Sequence, residues 1–268
     1  MTLRHLLAAA TLLIASVSAV AQVSPAVPGP PQCPSPRKAS PHPTAEEIAE
    51  TQAKATADPT VLLSPEPVGN MGVLRYAVRD YADCTLQGRC YWQDLAAQAA
   101  RAREVLDATV RTLPKGMKKA MVLDIDETSL SSYCEEINED FGYIPDRFEA
   151  WIVSKEASIP IRSTLELAKH AQALGVDVFF ITGRPESQRA VTEANLKAAG
   201  YSGWKRLSLK QAGVTYASTA SYKAGERQKI LDEKYTIVMN MGDQWSDLQG
   251  VPVALHSVKL PNPFYYLP

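Results

Sequence analysis

What this 268-residue chain lacks narrows its function first. Neither sign of charge is in excess: 28 Lys and Arg stand against 29 Asp and Glu, a net of −1. No basic run is interleaved with aromatics, so a nucleic-acid polymer is not an expected partner. Histidine is scarce, four in all, and no pair has metal-ligand spacing. The cysteines form no C-x-x-C, so a structural zinc site is not expected. No cysteine has an arginine six positions later, and there is no G-x-S-x-G and no Walker loop. Those absences remove the chemistry of several other hydrolases. Beyond residue 21 no apolar run is long enough to span a bilayer.

What is present is ordinary for a soluble globular protein: 46% hydrophobic and 21% charged residues. The length allows one large domain with accessory segments, or two small ones. Residues 1–21 carry Arg4, an apolar run from Leu6 to Val20, and Ala19-Val20-Ala21 before Gln22. That pattern reads as a cleaved secretory signal peptide, which predicts a secreted or periplasmic protein with no membrane span after cleavage. In an oxidising compartment Cys33, Cys84, Cys90 and Cys134 could pair in three ways. Cys84 and Cys90 flank a Gln-Gly turn signal, which favours that bridge. Residues 22–60 are rich in Pro, Ser and Ala and read as a disordered linker. The folded domain is expected over 61–268.

Trp92, Leu95, Ala99, Ala102, Leu106, Val110 and Leu113 recur at helical spacing, which predicts one long amphipathic helix ending before Pro114. Val73 to Tyr81 predicts another helix before it. KKAMVLDID is a buried-strand signal, and VDVFFI (176–181), TIVMNM (236–241) and VPVALH (251–256) resemble it. Helical stretches alternate with these. Ser163 and Glu166 suggest a capping box for a helix that Gly175 stops. Pro185-Glu186 opens a helix to Ala199. Strand and helix alternation predicts βαβ units and a parallel α/β sheet.

In an open α/β sheet, ligands bind beyond the carboxyl ends of the strands. Polar clusters stand at three such ends: Asp124-Ile125-Asp126-Glu127-Thr128, Thr182-Gly183-Arg184, and Gly242-Asp243 with Asp247. Asp124 and Asp126, two apart, share a face if the strand continues through them. Neighbouring carboxylates repel unless a cation lies between them. An all-oxygen, carboxylate-rich set favours Mg²⁺ over zinc or copper, and Mg²⁺ commonly recruits phosphate. Lys223 stands near the start of a predicted helix through Asp232. A cation there opposes the helix dipole and makes sense with a bound anion.

D-x-D-x-T after one strand, T-G-R after the next, a helix-start lysine and G-D-x-x-x-D together resemble the motifs of the haloacid dehalogenase-like superfamily. EANLKAAGYSGWKRL, SYKAGERQKI, GDQWSDLQG and VKLPNPFYYLP are similar to its acid phosphatase branch, which includes plant vegetative storage proteins and bacterial exported acid phosphatases. The likeness runs over roughly 118–268. It implies a Rossmann-like three-layer α/β/α fold with N-terminal helices and a small helical cap inserted at about 129–160. It implies Mg²⁺-dependent hydrolysis of small phosphate monoesters through an aspartyl-phosphate. Asp124 matches the nucleophile and Asp126 the general acid. Thr182, Gly183 and Lys223 match the phosphate-binding groups. Asp124, Asp126 (through its backbone carbonyl), Asp243 and Asp247 match the Mg²⁺ site, with Asp247 either a ligand or a support. Thr128 matches a loop cap, or less directly a ligand.

Two questions stay open at this level. Tyr133, Phe141, Tyr143, Phe148 and Trp151 lie in the expected cap, where some could line a leaving-group pocket or all could pack the cap onto the body. A storage or phosphate-binding protein of the same fold, or a phosphotransferase, is the alternative function. The 261–268 segment offers no catalytic reading and is expected to pack against the domain.

Overall fold

The computed structural model describes residues 27–34, 41–64 and 67–267. The expected signal peptide lies outside these residues. In chain order the elements are α1 (Ala45–Ala57), α2 (Met71–Ala82), α3 (Tyr91–Thr112), β1 (Lys118–Leu123), α4 (Tyr133–Asn138), α5 (Pro145–Ile152), α6 (Arg162–Ala173), β2 (Val176–Pro185), α7 (Arg189–Ala198), β3 (Arg206–Lys210), α8 (Thr219–Asp232), β4 (Tyr235–Gly242), α9 (Trp245–Leu248) and β5 (His256–Lys259). Short 3₁₀ turns at Lys155–Ala157 and Glu186–Gln188 join them. The five strands form one parallel sheet in the order β3-β2-β1-β4-β5.

The sheet has two buried faces, as a parallel sheet requires. Met121 and Leu123 of β1 with Val178 and Phe180 of β2 face one core, filled by Leu95 and Leu106 of α3 and Leu167 and Ala171 of α6. The intervening Ala120, Val122, Phe179 and Ile181 face the other, against Tyr222 and Ile230 of α8. The two-residue alternation of a strand therefore builds a three-layer α/β/α arrangement. It also puts every strand's carboxyl end along one edge, which carries the polar clusters.

Several sequence expectations change. The disordered linker read over 22–60 gives way at Ala45–Ala57, which is helical. Thr44 accepts the Glu47 N–H there, and the Glu47 carboxylate accepts the Thr44 N–H. The proline-rich composition ends before this Ala- and Glu-rich stretch of strong helix formers, and none of α1 is buried. Ser163 caps nothing: α6 starts at Arg162, with Ile161 before it held by its N–H to the Ser129 carbonyl. The strand read at 251–256 lies instead at His256–Lys259. Pro252 has no N–H for a ladder, and Val251, Val253 and Leu255 are exposed. The short strand β3 carries too few residues for its own period signal.

Both cysteine pairs are bridged, Cys84 to Cys90 and Cys33 to Cys134. The second ties the segment at 27–34 to α4 across a separation of 101 residues. Closing so long a loop restricts the unfolded chain strongly. Replacing Cys33 and Cys134 together with serine is expected to lower stability by about 2–5 kcal/mol. Urea unfolding of the oxidised proteins measures this, and an unchanged midpoint would contradict it.

Candidate active site

β1 ends at Leu123, so Asp124 and Asp126 both lie in the loop after it rather than on one strand face. Asp124 still joins the sheet through its N–H to the Met241 carbonyl at 3.1 Å. Its own carbonyl accepts the Ser129 hydroxyl at 2.6 Å. The two aspartates then diverge. Asp124 is buried and meets the Lys223 ammonium at 2.5 Å. Asp126 is partly open to solvent and meets Arg184, whose Nη2 lies 2.6 Å and Nε 3.1 Å from its oxygens. Arg184 is itself buried and also donates to Thr192 at 3.3 Å. The residues of one motif are thus held by two separate cations.

Lys223 bridges Asp124 and Asp247. It is the fifth residue of α8, one turn inside the helix rather than at its start. Ser218 caps the helix, its side chain accepting the Ser221 N–H at 3.0 Å. Asp247 reaches the site because α9 folds back on the end of β4. Its carboxylate accepts the Gln244 N–H at 2.8 Å. Gly242 permits this: a Cβ on it would lie 2.3 Å from the Asp247 carboxylate. Behind the site, the buried guanidinium of Arg227 donates to the carbonyls of Asp247, Gln249, Gly250 and Pro252. Asn240 donates to the Asp247 carbonyl as well, at 2.9 Å.

Asp243 completes the cluster. One oxygen of each of Asp124, Asp243 and Asp247 lies within 4.8 Å of the others. The Asp126 carboxylate is not part of that group. Thr128 donates its hydroxyl to Asp243 at 3.0 Å, so it serves a carboxylate across the site rather than capping its own loop. Thr182 is buried and its hydroxyl accepts the Arg184 N–H at 3.2 Å. Gly183 is exposed, and a Cβ there would meet open space. Lys210, at the end of β3, adds a half-buried ammonium near Thr219 Oγ1, 3.3 Å away.

Burial dominates the electrostatics. It pushes the Asp124 carboxyl well above the usual range; Lys223 opposes that, while Asp247, Asp243 and Asp126 add to it. Asp243 moves up for the same first reason and through Asp247, with Asn262, Lys223 and Gln244 pulling back. Burial works to neutralise Lys223, yet Asp124 and Asp247 outweigh it and hold the ammonium charged. Glu127, buried beside Asp126 and Asp243, is pushed up to about 8.

Between β1 and α6, where the cap is expected, lie α4 and α5. Tyr133 packs edge-on against Trp92 and donates to Asp83 at 2.5 Å. Trp151 is buried in a small core with Ile152 and Ala157, flanked by Phe148. Phe141 stacks near Phe264. Tyr143 is 68% exposed and is left as the aromatic of this group with most free surface.

Within this insert, burial pushes Glu136 up to about 7, helped by Glu139 and Glu135 and opposed by Ser132. A carboxyl raised in the fold stays protonated while its unfolded counterpart ionises. Its contribution is complete below about pH 4.5 and is lost as pH rises through 7. The thermal midpoint of the wild type in EDTA is expected to fall more over that window than that of Glu136→Gln. Parallel curves would contradict this.

Sequence reasoning missed Arg184 as a partner for Asp126, although it lies in the T-G-R cluster. It also missed Gln244 and Asn262, which donate to the Asp243 carboxylate at 2.7 and 2.8 Å. No local pattern ties Asn262 to a residue 19 positions earlier.

The family model of the HAD superfamily, subfamily IIIB (acid phosphatase), matches residues 45–268. The chain belongs to this family. Among curated relatives, Acid phosphatase 1 of Solanum lycopersicum is 36% identical over 149 residues, covering 54% of this chain and 58% of that protein. Vegetative storage protein 1 of Arabidopsis thaliana is 35% identical over 151 residues, covering 55% of each. The chain therefore spans little more than half the length of these relatives. The Class C acid phosphatase from Bacillus anthracis shares the fold, with a TM-score of 0.56 at 22% identity over 73% of this chain and 86% of that one. Among the described residues, no helix is long and apolar enough to cross a membrane.

Proposed function

We propose that the protein is an exported, Mg²⁺-dependent acid phosphatase that hydrolyses small phosphate monoesters through an aspartyl-phosphate on Asp124. The observation that carries this reading is the buried Asp124 carboxylate facing Lys223 and two further carboxylates at the sheet edge. A binding or storage protein has no need of a carboxylate kept ready in so costly a place. The relatives with printed names of both kinds, acid phosphatase and storage protein, make the distinction a real one.

An Asp124 oxygen attacks phosphorus as the ester P–O bond breaks. Asp126 gives its proton to the leaving oxygen. Asp126 then takes a proton from a water that attacks phosphorus, releasing phosphate and restoring Asp124. The side chain of Asp126 is 24% exposed, and Arg184 fixes its direction. Lys223 would meet negative charge on the phosphoryl oxygens, and Thr182 and Gly183, near the carboxyl end of β2, would share that task.

The donor set fits a hard divalent cation. The Asp124, Asp243 and Asp247 carboxylates share one cation, Lys223, so the cluster retains excess negative charge when ionised. All the donors are oxygens, which favours Mg²⁺. Asp124, Asp243 and Asp247 would hold it, with the Asp126 carbonyl beside them. When bound, it would withdraw charge from the phosphoryl oxygens. Two disulfides suit an oxidising compartment and support export.

Phosphate release from p-nitrophenyl phosphate, with Mg²⁺ and with EDTA, tests the reading. Turnover that EDTA abolishes and Mg²⁺ restores is expected. A folded protein with no turnover at any pH would leave the storage reading instead. Added alcohols that capture the phosphoryl group in place of water would shift the assignment to phosphotransfer.

A further inference from the structure

The carboxyl-terminal segment reaches back over the site from its own end of the sheet. Asn262 donates through Nδ2 to Asp243 Oδ2 at 2.8 Å. Gln244 donates to the same oxygen at 2.7 Å, and Thr128 to Oδ1 at 3.0 Å. Tyr265 donates its hydroxyl to Glu127 Oε2 at 2.7 Å. The other oxygen of Glu127 accepts the Ser132 N–H at 2.6 Å and the Ser132 hydroxyl at 2.8 Å. Gln244 ties back to the segment twice: its Nε2 donates to the Tyr265 carbonyl, and its Oε1 accepts the Leu267 N–H at 3.0 Å. Asn262 shapes the turn as well, because its Oδ1 accepts the Phe264 N–H at 2.8 Å. Phe264 anchors the whole against Tyr91 and Phe141.

These bonds do more than attach a tail. A segment that merely packed would be satisfied by Phe264. Here two polar side chains of the segment end on buried carboxylates in two different loops, after β1 and after β4. An ionised carboxylate oxygen has room for about two donors. Among the described residues, Oδ2 of Asp243 has both positions taken and Oδ1 has one. Asp243 is thereby left one direction, on Oδ1, in which to face a cation.

We propose that the segment Asn262–Leu267 is a clasp that positions Asp243 for its metal ion, with Asn262 and Tyr265 as positioning residues. The inference rests on the Mg²⁺ reading above. Partners of this kind fix a ligand's orientation before the ion arrives, and losing one typically weakens metal affinity about 10- to 100-fold. Asn262→Ala removes one of the two donors that hold Oδ2 of Asp243 and so loosens its orientation. Tyr265→Phe keeps the ring and releases the Glu127 loop.

Calorimetric titration of Mg²⁺ into the full chain tests this directly. Wild type, Asn262→Ala, Tyr265→Phe and, as a control on the exposed neighbour, Tyr266→Phe would be compared. A Kd raised about 10- to 100-fold in Asn262→Ala is expected, a smaller rise in Tyr265→Phe, and none in Tyr266→Phe. The Mg²⁺ concentration for half-maximal turnover should rise by the same factor, with turnover near wild type once Mg²⁺ is saturating. Near-ultraviolet circular dichroism establishes that Asn262→Ala is folded; if it is not, Tyr265→Phe decides. An unchanged Kd in the deciding variant, with wild type binding Mg²⁺ normally, overturns the clasp alone. A wild type that takes up no Mg²⁺ overturns the metal reading and the clasp with it.

Discussion

Asp124→Asn is expected to abolish turnover of p-nitrophenyl phosphate, by roughly four to six orders of magnitude in kcat, as loss of a catalytic nucleophile does. The amide has the shape of the carboxylate but does not attack phosphorus. The fold should survive the change. Asp124 is buried at 7% exposure, and its charge is opposed by Asp247, Asp243 and Asp126. Removing it relieves repulsion, and Lys223 keeps Asp247 as a partner. The metal-free thermal midpoint should therefore equal or exceed that of the wild type. Steady-state assays with a thermal melt measure both quantities. Retained turnover in the variant would move the nucleophile elsewhere.

Lys223→Met should show the opposite balance, losing both activity and stability. The ammonium is buried and is the shared partner of Asp124 and Asp247. Without it three carboxylates remain in one buried cluster. Breaking a buried pair by removing one partner costs about 3–5 kcal/mol. Catalysis loses a preorganised positive group, worth about 10²- to 10³-fold in kcat where such donors have been removed. A pH signature separates this from general damage. Lys223 lowers the Asp124 carboxyl against the effect of burial. Asp124 must be ionised to attack, so its loss as a partner moves the acid limb of the pH–rate profile to higher pH. A profile scaled down without a shift would show that Lys223 does not act on Asp124. Lys223→Arg is not expected to rescue, since a planar guanidinium does not fit between two carboxylates placed for an ammonium.

The sheet and the cluster on its edge were legible in the sequence for a physical reason. A parallel strand buried on both faces must be a near-continuous apolar run, so KKAMVL, VDVFFI and TIVMNM declare themselves. A carboxylate at the end of such a run is costly, so Asp124 and Asp243 draw notice at once. Local signals failed where tertiary contacts decide. Ser163 had the right spacing for a cap, yet the Ile161–Ser129 bond sets where α6 begins. Asp124 and Asp126 had the right spacing for one face, yet the strand ends before them and two different cations divide them. Asn262 and Tyr265 act through bonds spanning 19 and 138 positions, which no periodicity records. Lys223 was found for its charge, but its partners were visible only once α8 lay against β1 and α9.

In the proposed mechanism the phosphoryl group passes through Asp124. Borohydride reduces an aspartyl-phosphate to homoserine, so quenching the working enzyme with borohydride and mapping its peptides reports the residue that carried phosphate. Conversion at position 124, dependent on substrate and absent from Asp124→Asn, is the predicted result. Steady turnover with no modified aspartate, or with the modification at Asp126, Asp243 or Asp247, would contradict the account.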